Sequence, residues 1–230
     1  MTTLAPAGRV VRCDLRGFGR TPADAVDYAD AADLAELIEG EGLGPATLVG
    51  VSMGAAAALD LTLARPELVS GLVLVSASHP DQEWSAEMER FERREAELFE
   101  AGDIDAVVEL NLSVWLDRPG RSPDQAGPEL RAVVGEMQRR AVELQLVHPD
   151  ARCGQLVPDQ AARLGEVSVP VLVLAGDLDL PEILGSASRF AADIPGAEAA
   201  TIAAAAHLPS MEQPEAFDRI VLNFLAGLQD

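Results

Sequence analysis

The chain contains no lysine. All 17 of its basic residues are arginine, set against 38 acidic residues, for a formal net charge of −21 over 230 residues. A nucleic-acid binder needs a basic footprint to displace counterions from phosphates, and an anionic bilayer surface asks for the same, so this charge excludes both partners. The arginine-only usage itself carries no functional weight. Cysteine is nearly absent: Cys13 and Cys153 are too few and too far apart for a disulfide framework or a CxxC zinc site, and read as two thiols outside any disulfide in a reducing cytoplasm. Long apolar runs are missing too. The longest charge-free stretch, residues 42–59, is broken by Pro45, Gly50 and Gly54 and reads as strand, turn and helix start rather than a membrane span. Residues 1–7 have no apolar core and are not expected to be a signal peptide.

What is present is globular. Hydrophobic residues make up 48% and charged residues 24% of the chain, which rules out disorder as the main state, and the length fits one domain with an inserted lid. Residues 8–13 (GRVVRC) form a β-branched run that predicts a strand, followed by a Gly-rich polar loop over 14–21. A helical face through Ala31, Leu34, Leu37 and Ile38 ends at Gly42 and Gly44. Residues 46–50 predict a second strand, 55–64 an Ala/Leu-rich helix, and 71–75 a third strand. That third strand is apolar without alternation, as in a strand covered on both faces. The βαβαβ order implies a parallel sheet with right-handed crossovers.

The character then changes. Three amphipathic stripes follow: Trp84, Met88, Phe91 and Leu98; Ile104, Val107, Val108 and Trp115; and Leu130, Val133, Val134, Met137, Ala141 and Leu144. A Pro/Gly-rich loop over 118–128 separates the last two. No strand signal occurs between about 76 and 167, so 77–167 is expected to be an all-helical cap, with 1–76 and 168–230 forming the α/β core. The α/β pattern resumes with a strand at 169–175, a helix at 181–192, a weak strand at 199–203 and a final amphipathic helix at 214–228.

The chemistry is carried by three residues. Residues 50–54 read Gly-Val-Ser-Met-Gly, a G-x-S-x-G pattern between an apolar strand and a helix, where the turn lifts Ser52 clear of the sheet and aims helix amides at a reacting carbonyl. Side chains at both glycine positions are expected to collide. The alternative is an ordinary tight turn with a capping serine, which would need neither glycine. A serine needs a base. Of three histidines, His207 lies after the last strand, level with the Ser52 turn. His79 and His148 each precede a proline and are expected in surface loops, His79 retaining a chance of lining the pocket because it follows a strand end. The base needs an acid to hold its tautomer. Asp179, just past the strand ending at Ala175, is the choice; Asp177, closer to that strand, is the alternative and more readily caps the turn.

With these residues placed, the chain resembles the α/β-hydrolase superfamily, in its esterase, lactonase and haloperoxidase-like branch with a helical cap. The order Ser52, Asp179, His207 is the order of that fold. Residues 14–21 (DLRGFGRT) look like its D-x-R-G-x-G-x-S loop, with Thr21 where Ser is usual, and residues 207–217 (HLPSMEQPEAF) are similar to its histidine loop and final helix. The resemblance implies an α/β-hydrolase fold: a mostly parallel sheet flanked by helices. It also implies an acyl-enzyme mechanism with no metal or cofactor, the Met53 amide in the oxyanion hole, and Trp84, Met88, Trp115 and Met137 as cap residues facing an apolar acyl group. For those four, packing inside the cap is the other expectation. Serine at the elbow argues against dehalogenase or epoxide hydrolase chemistry, where an Asp stands there. The family also places three strands ahead of the one expected at Gly8, the third supplying a second oxyanion amide from between the strands at 8–13 and 46–50. The expectation is therefore that Met1 is not the natural start or that the chain is N-terminally truncated, poorly soluble and nearly inactive alone. Expected activities are hydrolysis of a small neutral or apolar ester or lactone, carbon–carbon bond hydrolysis by the same triad, or ligand binding by a non-catalytic remnant. Residues 81–118 hold 12 acidic and 4 basic residues, a net of −8, which disfavours anionic substrates.

Overall fold

The computed structural model describes residues 4–5, 8–23, 25–117 and 126–228. Most of residues 1–7 and of the expected 118–128 loop lies outside them. The chain forms two compact units: Met1–Cys13, Ala29–Gln82 and Gly154–Asp230 in the first, Asp14–Tyr28 and Glu83–Cys153 in the second.

The first unit is built on a four-stranded parallel sheet: β1 (Ala46–Val51), β2 (Val69–Val75), β3 (Val171–Gly176) and β4 (Glu198–Ile202), side by side in that order. Each pair is parallel, in registers such as Val51↔Val75, Val75↔Leu174 and Gly176↔Ile202, so all four C-terminal ends lie along one edge. On one face, Leu72, Leu74, Val171 and Val173 pack against Ala55, Ala58 and Leu59 of α2 (Met53–Ala64), and against Phe190 of α7 (Pro181–Asp193). On the other face, Val73, Val75, Leu172 and Leu174 meet Phe217 and Val221 of α9 (Pro214–Gly227). Covered on both faces, β2 and β3 have no polar side to present, which is why their sequences do not alternate. Helix α1 (Asp30–Gly40) packs Ala31, Ala35 and Ile38 against Leu61 of α2.

Two sequence expectations are corrected in this unit. Residues 8–13 form no strand: Val11, Arg12 and Cys13 are exposed, and no ladder of the described sheet includes this segment. A strand exists through its ladder, and β-branched composition without a partner does not make one. Arg9 instead pairs with Glu41 at 2.8 Å. The second correction concerns residues 77–82 and 154–167, expected in the cap. They belong to the first unit, where the short helix α6 (Gln160–Arg163) lies, because Ala77, Val157, Leu164 and Val167 are buried in the same core as α2. A polar pin adds to this: buried Asp60, on α2, accepts from Leu156 N (2.7 Å), Val157 N (2.9 Å) and Gln160 Nε2 (2.9 Å). These bonds satisfy a carboxylate that would otherwise be costly to bury.

The second unit is helical: α3 (Ala86–Glu100), α4 (Ile104–Asn111) running into a π-helical stretch (Leu112–Asp117), and α5 (Pro128–Gln145). Ser85 and Asp103 cap α3 and α4 through their side chains. The stripe expected along α5 holds only in its second half. Ala141, Val142 and Leu144 are buried, whereas Val133 and Met137 are exposed. The 14–28 segment, including the Gly-rich loop, was expected in the α/β core but joins this unit: Thr21 Oγ1 donates to Asp14 O, and the Asp14 carboxylate accepts from Arg20 N. Among the described residues no helix is long and apolar enough to cross a membrane, and no disulfide joins Cys13 and Cys153, both of which are exposed.

Candidate active site

Ser52 occupies the single residue between β1 and α2, at φ 52°, ψ −115°. Few non-glycine residues accept a positive φ, and holding one there costs on the order of 1–3 kcal/mol. The turn is held against the sheet by Ser52 N, which donates to Val75 O at 2.8 Å, while Ser52 O accepts the first helical bonds from Ala55 N and Ala56 N. The hydroxyl makes no cap hydrogen bond, unlike that of a capping serine. Met53 and Gly54 are the first residues of α2, and amides at a helix start have no intrahelical acceptor. The two glycines of the motif differ. A Cβ on Gly50 would fall on the backbone of Gly54 and Ala55, so glycine is required there, whereas a Cβ on Gly54 meets nothing within 4 Å. The expectation that both positions exclude side chains is corrected for Gly54.

Asp179 and His207 come together. His207 Nδ1 lies 3.0 Å from both carboxylate oxygens of Asp179, and both side chains are buried. A carboxylate can only accept, so Nδ1 carries the proton and Nε2 is left as the basic nitrogen. Asp179 also accepts from its neighbour's amide, Leu180 N, at 2.8 Å. Asp177, the alternative acid, is exposed. Because β1, β2 and β3 are neighbours and strands lie about 4.8 Å apart, the ends bearing Ser52 and the Asp179 loop are separated by roughly 10 Å of sheet edge. His207 follows β4 on that same edge.

Of the other histidines, His79 departs from expectation. His79 is 3% exposed rather than in a surface loop; its ring packs on Phe190 at 5.0 Å. The β2 strand feeds it directly under α7, which is why a residue before a proline ends up buried. Its Nδ1 accepts from Asp81 N at 3.2 Å, and Nε2 lies 3.2 Å from Asp193 Oδ2, off the line of a hydrogen bond. Burial, helped by the Arg189 charge, lowers its pKa below the usual imidazole value, with Asp193 and Asp81 opposing. His148 is half-buried in the second unit. The four cap candidates also lie in the second unit. Met88 is buried, Met137 is 58% exposed, Trp84 is half-buried, and Trp115 sits edge-on to Phe91 at 5.7 Å.

Three residues were not found by sequence reasoning. Gly176, the last residue of β3, leaves no room for a side chain: a Cβ there would collide with the carbonyls of Ala205 and Ala206. A glycine ending an apolar strand is a readable sign of such close backbone approach. Glu212 closes α8 (Pro209–Glu212) and accepts from Ala206 N (3.0 Å to each oxygen) and Leu208 N (3.1 Å), one residue to either side of His207. Its signal was a proline at a helix start with an acid in the first turn, the pattern of a carboxylate reaching back to orphan amides. Ser76, one residue past β2, is buried at φ 48° with no hydrogen-bond partner for its hydroxyl among the described residues; no sequence signal marked it. Among the described residues no group of three His, Cys, Asp or Glu side chains could hold a metal ion.

The serine turn between a parallel strand and its helix, with an Asp–His pair on loops at the same sheet edge, is the arrangement of the alpha/beta hydrolase family, to which this chain belongs: the family's model matches residues 1–220. BpoC of Mycobacterium tuberculosis, named provisionally as a non-heme bromoperoxidase, is 32% identical over 242 residues, spanning 98% of this chain and 86% of the relative. The pimeloyl-[acyl-carrier protein] methyl ester esterase of Yersinia pestis is 29% identical, over 96% of this chain and 84% of its own. Among solved structures, a hydrolase from Pseudomonas aeruginosa superposes with a TM-score of 0.77 at 26% identity, covering 97% of this chain and 82% of that one.

Proposed function

We propose that the protein is a serine hydrolase acting on a small, neutral carboxylic ester or lactone through Ser52, His207 and Asp179. The observation that carries this reading is the 3.0 Å bond from His207 Nδ1 to Asp179, which leaves Nε2 basic on the sheet edge that also bears the Ser52 turn. His207 Nε2 takes the hydroxyl proton as Ser52 Oγ attacks the carbonyl, and Asp179 stabilises the imidazolium. Charge developing on the carbonyl oxygen is met by the Met53 amide at the start of α2. His207 then protonates the departing alkoxide, and water, activated by the same nitrogen, releases the acid from Ser52. The esterase among the relatives supports ester chemistry, and the net charge of −21 supports a neutral substrate over an anionic one.

The test is hydrolysis of p-nitrophenyl acetate by the full chain. Ser52→Ala and His207→Ala should each lower kcat by on the order of 10⁴–10⁶, and the double variant no further, because the groups act as a unit. Neutral acetate esters and γ-lactones should turn over faster than dicarboxylate half-esters at low salt. A Ser52→Ala variant that keeps most of the activity would remove the nucleophile assignment; a preference for the dicarboxylate would remove the substrate class.

A further inference from the structure

We propose that Glu212 is a positioning residue for His207, acting through the backbone rather than through its charge. The inference rests on the triad reading above. Residues 205–208 are gripped on two sides. On one, Gly176 brings the end of β3 against the Ala205 and Ala206 carbonyls, and Leu178 N donates to Ala205 O at 2.9 Å, continuing the β3–β4 pairing into the loop. On the other, the Glu212 carboxylate holds the amides of Ala206 and Leu208. The Ala205–Ala206 and His207–Leu208 peptides, before and after His207, are therefore tied to one side chain five residues downstream of it.

The Asp179 bond fixes only one end of the imidazole. A ring pinned at Nδ1 can still swing Nε2 about that point if its own Cα moves. Fixing the flanking backbone removes that freedom, and a displacement of about 1 Å at a reacting group can cost on the order of 100-fold in rate. One oxygen of the carboxylate, Oε1, already receives both amides, Ala206 N at 3.0 Å and Leu208 N at 3.1 Å. A glutamine carbonyl in the Oε1 position has the two lone pairs to do the same, its NH2 group replacing only Oε2, the second branch of the Ala206 bond, and turning away from that amide. An aspartate keeps the charge but withdraws the oxygens by one methylene. Reach and charge are thus separable.

The experiment measures kcat and KM for p-nitrophenyl acetate on Glu212→Gln, Glu212→Asp and Glu212→Ala in the full chain, beside Ser52→Ala. Melting temperatures are recorded, together with the downfield imidazole proton resonance of His207 Nδ1–H, which needs no turnover. Glu212→Gln should stay within about threefold of the parent in kcat, whereas Glu212→Ala should lose about 30–100-fold and Glu212→Asp about 10-fold, with KM within about twofold for all. The downfield resonance should be sharp in the parent and in Glu212→Gln, and broadened in the other two. A folded Glu212→Ala with parental kcat, or losses confined to KM, would overturn the proposal. So would the reverse order, with Asp near parental and Gln impaired, since that would make the charge the active feature. If Glu212→Ala does not fold, the order of Gln and Asp decides. Activity that survives Ser52→Ala would instead strike the triad reading, leaving the resonance to judge Glu212 alone.

Discussion

The two halves of the candidate site are held by different physics. The Ser52 half is steric: a residue at positive φ is locked between β1 and α2 because Gly50 lets the backbone of Gly54 lie directly on it, and no side-chain hydrogen bond caps the helix start. The His207 half is polar: one carboxylate orients the ring and another holds the loop. Steric parts tend to fail all at once, since a covalent Cβ cannot be accommodated by small adjustments in a packed backbone contact. Polar parts fail by degrees, because each lost hydrogen bond is a separate and modest cost.

The largest expected effect comes from the steric half. Gly50→Ala should lower stability by roughly 2–3 kcal/mol in urea unfolding and kcat by on the order of 100-fold as the turn shifts. Its partner in the motif should behave in the opposite way. Gly54→Ala enters open space at the start of α2 and should raise stability by about 0.5–1 kcal/mol through helix propensity, with activity little changed. Equal damage from both would show that the asymmetry between the two glycines is not real.

The smallest effect separates the two buried histidines. His207 and His79 are opposite tautomers: Nδ1 donates in the first and accepts an amide in the second. The folded-state pKa of His79 is lowered, so the unfolded chain takes up its proton first. The stability it contributes is present above the unfolded value of about 6.5 and is lost as pH falls through that value toward the folded one. His79→Gln should therefore flatten the decline in melting temperature from about pH 7 to 5. The pH profile of kcat/KM should not move. A shifted profile would bring His79 into the chemistry.

The sheet was legible where strands are buried on both faces: the unbroken apolar runs of β2 and β3 announced themselves. The 8–13 run looked as β-prone but forms no strand, because composition reports compatibility with a ladder and not the presence of a neighbour. Residues 154–167 were assigned to the wrong unit because nothing in their composition betrays that Asp60, about 100 positions upstream, holds their amides. Ser52, Asp179 and His207 were expected from order and context, and the structure brings Asp179 and His207 within 3.0 Å of one another. Glu212 and Gly176 left readable signs, an acid in the turn after a proline and a glycine ending an apolar strand, but both act on backbone atoms of the His207 loop, which those signs do not name. Ser76 was missed because its strain is conformational.

The proposed role of Ser52 is that of an activated nucleophile. The most direct measurement is labelling of the full chain with a fluorophosphonate probe, followed by mapping of the modified peptide by mass spectrometry. One equivalent should attach to Ser52, label should be absent from Ser52→Ala, and labelling should be slowed at least 100-fold in His207→Ala because the base is gone. A chain that takes up no probe, or that carries it on another residue with Ser52 unmodified, would contradict the account.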